Sequence, residues 1–182
     1  GKVVQSGLPF LSIGTALLQF GLEATKKEPT LAESVALVTQ SAYLESLRET
    51  LQGETILLER LEEPASEATQ QQIKKLGDIE LSDAEARLAL VYFPQSKLGE
   101  AFNKVVASRI EDSGLGKAEA KNLVERIAAN TPQYIEIALV NAGESAKPLL
   151  EWCKAGGRET FKKYLSINTY LQEERLTLPH ET

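Results

Sequence analysis

Apolar residues recur along this chain at intervals of three and four, the spacing that gathers them on one side of an α-helix. After a capping pattern at Thr30 and Glu33 come Leu31, Val35, Val38 and Ala42. In such a box the threonine oxygen accepts from the backbone N–H three residues on, and the glutamate reaches back to the threonine amide. Glu45 interrupts the stripe, and Leu44, Leu47 and Leu51 carry it on along a shifted face. Gly53 breaks or kinks this helix, and Ile56, Leu57 and Leu61 continue a short helical piece as far as Pro64. Residues 66–76, with Gln70, Gln71 and Gln72, predict a polar helix that Gly77 caps.

Ser82 and Glu85 repeat the capping pattern ahead of Ala84, Leu88, Val91 and Tyr92, and Pro94 ends that stretch. From Ser96 the residues Leu98, Phe102, Val105, Val106, Arg109 and Ile110 share one face, closing at Asp112-Ser113-Gly114. The segment 117–130 sets Ala120, Leu123, Val124 and Ile127 together. Thr131 then reads as an N-cap with Pro132 at the first helical position, ahead of Tyr134, Ile135, Ile137, Ala138 and Leu139. Leu149, Leu150 and Trp152 mark a helix over 145–155, ended by Gly156-Gly157. A last helix over 158–174 carries Phe161, Tyr164, Leu165, Tyr170 and Leu171.

Strict apolar–polar alternation is missing, and so are Asn-Gly and Asp-Gly hairpin turns. The pattern therefore predicts an all-α bundle of about eight to ten helices with no sheet. Residues 1–175 read as a single helical domain, with a minor boundary near 64–82 taken as a surface excursion. Residues 176–182, which contain Pro179, read as an extended tail. No internal repeat of solenoid period is present.

Composition narrows the chemistry. A chain of 182 residues buries roughly 70% of its unfolded surface and needs no covalent staples. Cys153 is its one cysteine, which excludes an internal disulfide framework and favours a reducing compartment. The net charge of −6 argues against nucleic acid, whose binding rests on clustered Lys and Arg. The one histidine, His180, stands third from the end, so neither a hydrolase triad nor a zinc site can be assembled. A carboxylate bundle site would need Glu-x-x-His pairs, and Thr177 holds the position three before His180. With no methionine and a first residue Gly1, the chain reads as an excised piece of a larger protein.

Gly114-Leu115-Gly116-Lys117 has the outline of a phosphate loop, but Glu111 and Ala118 stand where a glycine and a Ser or Thr are required. It reads as a turn and a helix start. Glu62-Glu63 and Glu173-Glu174 read as solvated helix ends, and Cys153 as a small core residue beside Trp152.

The feature that stands above background is N-terminal. Residues 3–22 hold no charge, and residues 8–25 predict a helix ending in Lys26-Lys27-Glu28-Pro29. Gly7, Gly14 and Gly21 recur every seven residues, forming a small-residue line that lets another backbone approach closely. Leu8, Phe10, Leu11, Leu17, Leu18 and Phe20 surround it. The candidate contact residues are Gly7, Gly14, Gly21, Leu11, Leu18 and Phe20. Two readings stay open. The segment is a buried central helix, or it is hidden at rest and inserts into a bilayer on activation; its length suffices to span about 30 Å, although Gln5, Ser6, Pro9, Ser12 and Gln19 dilute it.

The stretch Thr39-Gln40-Ser41-Ala42-Tyr43-Leu44-Glu45-Ser46-Leu47 resembles the helical regions of bacterial, especially cyanobacterial, NACHT-type signalling ATPases of the STAND class. So do Glu136-Ile137-Ala138-Leu139-Val140-Asn141-Ala142-Gly143-Glu144-Ser145-Ala146-Lys147-Pro148-Leu149 and Tyr164-Leu165. The resemblance implies a cytoplasmic, non-enzymatic N-terminal module whose partner is the nucleotide-binding domain that follows it. It also implies homo-oligomers and, in some relatives, membrane contact on activation. No cofactor, metal or nucleic acid is expected, and any ATPase activity belongs to another part of the parent protein.

If the glycine line meets a neighbouring backbone, Gly14→Leu overfills that contact. The expected cost is about 1–3 kcal/mol in a thermal or urea melt. A variant that melts like the parent removes the close-contact reading.

Overall fold

A computed structural model describes residues 30–167, apart from 62 and 77. Helix α1, Leu31–Leu51, opens at the expected box: the Glu33 N–H donates to Thr30 Oγ1 at 3.1 Å, and the Thr30 N–H donates to Glu33 Oε1 at 2.9 Å. It runs unbroken to Leu51, and Gln52 and Gly53 turn the chain away. Beyond the apolar stripe it buries Thr39, Tyr43 and Ser46, because other helices pack on several sides of it: α4 (Asp83–Val91), α6 (Lys117–Asn130) and α7 (Pro132–Asn141). Each of these three hydroxyls is satisfied, whereas Thr50 Oγ1 near the helix end is buried with no partner among the described residues. Thr39 donates to the Val35 carbonyl at 2.8 Å, Ser46 donates to Ile127 O at 2.7 Å, and Tyr43 donates to Asn103 Oδ1 at 2.9 Å. Burial pushes the Tyr43 phenol far above its ordinary pKa, so it remains a donor.

The second capping box, Ser82 with Glu85, opens α4 with the same two bonds. A 3₁₀ turn, Phe93–Gln95, follows it, and Ser96 caps α5 (Lys97–Asp112) by accepting from the Gly99 N–H at 2.9 Å. Phe93 packs against Tyr43 and Phe102 with ring centroids 5.4–5.9 Å apart, all three fully buried. The turn lies so close to α5 that a Cβ on Gly99 would run into the Phe93 carbonyl oxygen.

Helices α2 (Thr55–Leu61) and α3 (Glu67–Leu76) are held to α5 by polar contacts at its C-terminal end. The buried Arg109 guanidinium donates to Leu61 O at 2.7 Å and Pro64 O at 3.5 Å, and Arg60 donates to Ser113 O at 2.8 Å. Asp112 accepts from the Thr69 hydroxyl at 2.9 Å and the Ser66 N–H at 3.4 Å. Gly114, at φ 107°, then turns the chain toward α6, where a residue with a Cβ would be strained.

One sequence expectation is corrected at Thr131. Its backbone stays helical (φ −58°, ψ −41°) and its side chain makes no N-cap bond. The hydroxyl instead donates backward to Ile127 O at 2.7 Å, while its N–H turns to Ala128 O at 3.3 Å. α6 nevertheless ends at Asn130, and Pro132 opens α7 at its first position as expected. Ile127 O therefore accepts two hydroxyls, Ser46 from α1 and Thr131 from its own corner. The helix expected over 145–155 begins two residues later than expected, as α8 (Lys147–Lys154), behind a 3₁₀ turn at Gly143–Ala146.

The last described helix, α9 (Gly157–Ile167), lies on α8 and α4. Phe161 joins Leu88 and Val91 in a small second cluster that Trp152 borders. Gly157 sits against the Trp152 indole, where a Cβ would collide with the ring, and Arg158 donates to Leu90 O at 2.9 Å. Nine α-helices and no strand occur among the described residues, as the periodicity predicts. Gly77, the end of the predicted last helix and the tail at 176–182 lie outside them.

Two measurements probe these contacts. Gly99→Ala is expected to lower stability by about 1–3 kcal/mol in urea, since the obstructing oxygen belongs to the backbone; an unchanged midpoint contradicts the close approach. Burial pushes Asp112 up, but the bonds from Ser66 and Thr69 and the Arg109 charge outweigh it and hold the carboxyl below its ordinary value. Its contribution should be complete above pH 3.8 and lost as pH falls from there through the lowered folded value. Asp112→Asn should flatten that part of the stability profile, and an unaltered profile assigns the acid sensitivity elsewhere.

Candidate functional site

The periodicity that builds α1 leaves Leu37, Ser41, Leu44 and Arg48 on its least covered strip, and that strip faces a matching one on α7. Between them lies an open groove of about 290 Å³, walled by Ser41, Leu44 and Arg48 on one side and Tyr134, Ile137 and Asn141 on the other. Ala42 and Ala138 form its floor; their short side chains make it concave. Ile137 is 55% exposed and Val140, one residue short of a turn further on, is 60% exposed. They are two of the three exposed large hydrophobic residues among the described residues, the other being Ile56. α7 thus turns Ile135, Ala138 and Leu139 to the core and a second apolar edge outward.

The groove's charges satisfy each other. Arg48 Nη2 contacts both Glu45 carboxylate oxygens, at 2.7 and 2.8 Å. No nucleophile with a neighbouring base lines it, and its volume falls just below the usual small-ligand range of about 300–1,000 Å³. Its chemistry is that of an apolar contact face with a polar rim.

The remaining candidates resolve into structural roles. Gly114 and Gly116 form a turn and the N-cap of α6, as the incomplete phosphate-loop pattern predicts. Cys153 is buried beside Leu149, and burial pushes its thiol up, away from the reactive thiolate. Arg109, although buried and charged, serves the α2–α5 junction; burial lowers its pKa while Asp112 and Glu63 oppose that. Among the described residues no three His, Cys, Asp or Glu groups converge as a metal site. Nor is any helix there long and apolar enough to cross a membrane.

The contact residues expected from the sequence, Gly7, Gly14, Gly21, Leu11, Leu18 and Phe20, all lie outside the described residues, as do Glu62, Glu173, Glu174 and His180. The groove itself was not found from the periodicity, which named Ile137 with Tyr134, Ile135, Ala138 and Leu139 without separating a core face from an outer one. The available signal was the width of the apolar arc on α7: Tyr134, Ile135, Ile137, Ala138, Leu139 and Val140 cover more of a helix than one core can bury.

All of the groove's lining except Arg48 and Tyr134 comes from the stretches that carry the resemblance, 39–47 and 136–149. No curated protein and no solved structure matches the chain. Residues 1–179 match the family described as NACHT N-terminal Helical domain 3. A helical domain of this kind is distinct from the ATPase domain of a NACHT protein. The chain belongs to the NACHT N-terminal helical domain 3 family.

Proposed function

We propose that this domain is a non-catalytic, cytoplasmic contact module of a NACHT-type signalling ATPase, and that it acts on the rest of its parent chain through the face between α1 and α7. The observation that carries the reading is the apolar groove with Ile137 exposed on its wall and Val140 exposed on the same helix. Apolar side chains lining a concave face gain from burial at roughly 25 cal/mol per Å², and contact with another protein surface is the means to that burial. The supporting chemistry is negative in kind: the charged groups lining the face are already paired, so it offers shape and apolar area instead of reactive groups. Helices tied at both ends by capping boxes and buried hydroxyl bonds can transmit a rigid-body displacement of a neighbouring nucleotide-binding domain.

Bilayer insertion by residues 3–22 is the alternative raised by the uncharged segment, and no feature of the described residues favours it.

In the full NACHT protein, Ile137→Asp combined with Val140→Asp should abolish nucleotide-dependent assembly measured by light scattering. Both side chains point outward, so the helical circular dichroism of the variant should match the parent's. Nucleotide hydrolysis by the separate ATPase domain should continue. Assembly at the parent's level removes the reading.

A further inference from the structure

We infer that α9 is a hinged lid, which docks on the end of α4 and leaves it as one unit, turning about Gly156 while the main core stays folded. No residue of α8 or α9 lines the groove between α1 and α7, so the lid and the contact role proposed above stand or fall separately.

The buried apolar residues form two clusters of unequal size. The large one draws on α1 to α8, whereas the small one holds Leu88 and Val91 of α4 with Phe161 of α9, bordered by Tyr92 and Trp152. Phe161 is the one buried residue among the described side chains of α9; Glu159, Thr160 and Lys163 are exposed. Attachment of α9 therefore rests on one ring and a few polar contacts, and breaking it leaves the large cluster whole. Segments with few buried contacts open at a lower free energy than the domain unfolds. A helix of 11 residues is marginal in water by itself, so α9 melts on leaving.

The join between α8 and α9 supplies the pivot. Gly156 stands at φ 90°, and nothing beyond its chain neighbours lies within 4 Å of where its Cβ would be, so among the described residues nothing packs on the joint. Gly157 is the opposite case. When α9 is docked, its backbone there lies so close to the Trp152 indole that a Cβ would meet the ring. One glycine frees the turn, and its neighbour lets the closed state fit.

Arg158 pins the closed lid. Its Nη2 donates to Leu90 O at 2.9 Å, and its Nη1 donates to Glu136 Oε2 at 3.3 Å. Leu90 belongs to the last turn of α4, whose carbonyls have no partner further along the helix. A charged donor from α9 meets that need and at the same time joins α4 to α7. The Arg158 side chain is 20% exposed and that of Glu136 57%, so water can take over these bonds as the lid lifts.

Hydrogen exchange read by mass spectrometry tests the lid on the 182-residue chain. Amides of 157–167 should exchange about 100-fold faster than those of α1. Low urea should hardly change their rate, since opening the lid exposes little surface. Equal protection and equal urea dependence in the two helices overturn the inference, because α9 then leaves only when the whole domain unfolds. Arg158→Gln should speed exchange over 157–167 about tenfold and leave α1 unchanged. A change shared equally by both segments, or absent from both, also overturns it. Trp152 is the chain's one tryptophan, so its fluorescence reports the same event. Gly157→Ala should make the indole several-fold more open to acrylamide quenching, with α1 still protected from exchange. Quenching equal to the parent's, or protection lost in α1 as well, contradicts the lid.

Discussion

Three fully buried rings, Tyr43, Phe93 and Phe102, meet within 5.9 Å of one another, and each comes from a different part of the chain: α1, the 3₁₀ turn and α5. Edge and tilted contacts of this kind add to the burial of large apolar surfaces. Their position makes α1 a helix covered on several sides, and the remaining elements arrange themselves around it. The triangle closes because Gly99 lets the turn lie directly against the start of α5. It is held in place because Tyr43, the one ring with a polar tip, finds Asn103. Packing and hydrogen bonding therefore specify the same geometry at this point.

Much of this architecture is written locally. Thr30 with Glu33 and Ser82 with Glu85 open their helices as their spacing demands, since a capping box involves four consecutive residues and little else. The 3.6-residue stripe of α5 fails nowhere, because that helix shows one face to the core. What was not legible depends on distant partners. Phe93 lies between helices and has no periodic neighbours to mark it as core. Tyr43 sits off the apolar stripe of α1 and is buried only because the turn and α5 cover it. Thr131 carries every local mark of an N-cap, yet a buried carbonyl four residues back offers its hydroxyl a better-shielded partner. The groove escaped for a related reason: the apolar character of Ile137 says that it seeks burial, not against what.

The proposed contact role draws on family membership and on surface chemistry. A NACHT N-terminal helical domain is distinct from the ATPase domain of the protein that carries it. The buried ionisable groups described, Tyr43, Arg109 and Cys153, are explained by a core hydrogen bond, a helix junction and a core position. Specificity in such a module has to come from shape and from which apolar edges are left open. Here the open edges lie on α1 and α7, which have the most extensive contact of any two helices among the described residues.

The doubly bonded carbonyl of Ile127 has a consequence for motion. Ser46 and Thr131 lock the elbow that aims α7, and swinging that arm would strand two hydroxyls away from water. Rotating α7 against α1 at this corner therefore carries the cost of two unpaired hydroxyls, which opposes any opening of the cleft from its α6 end.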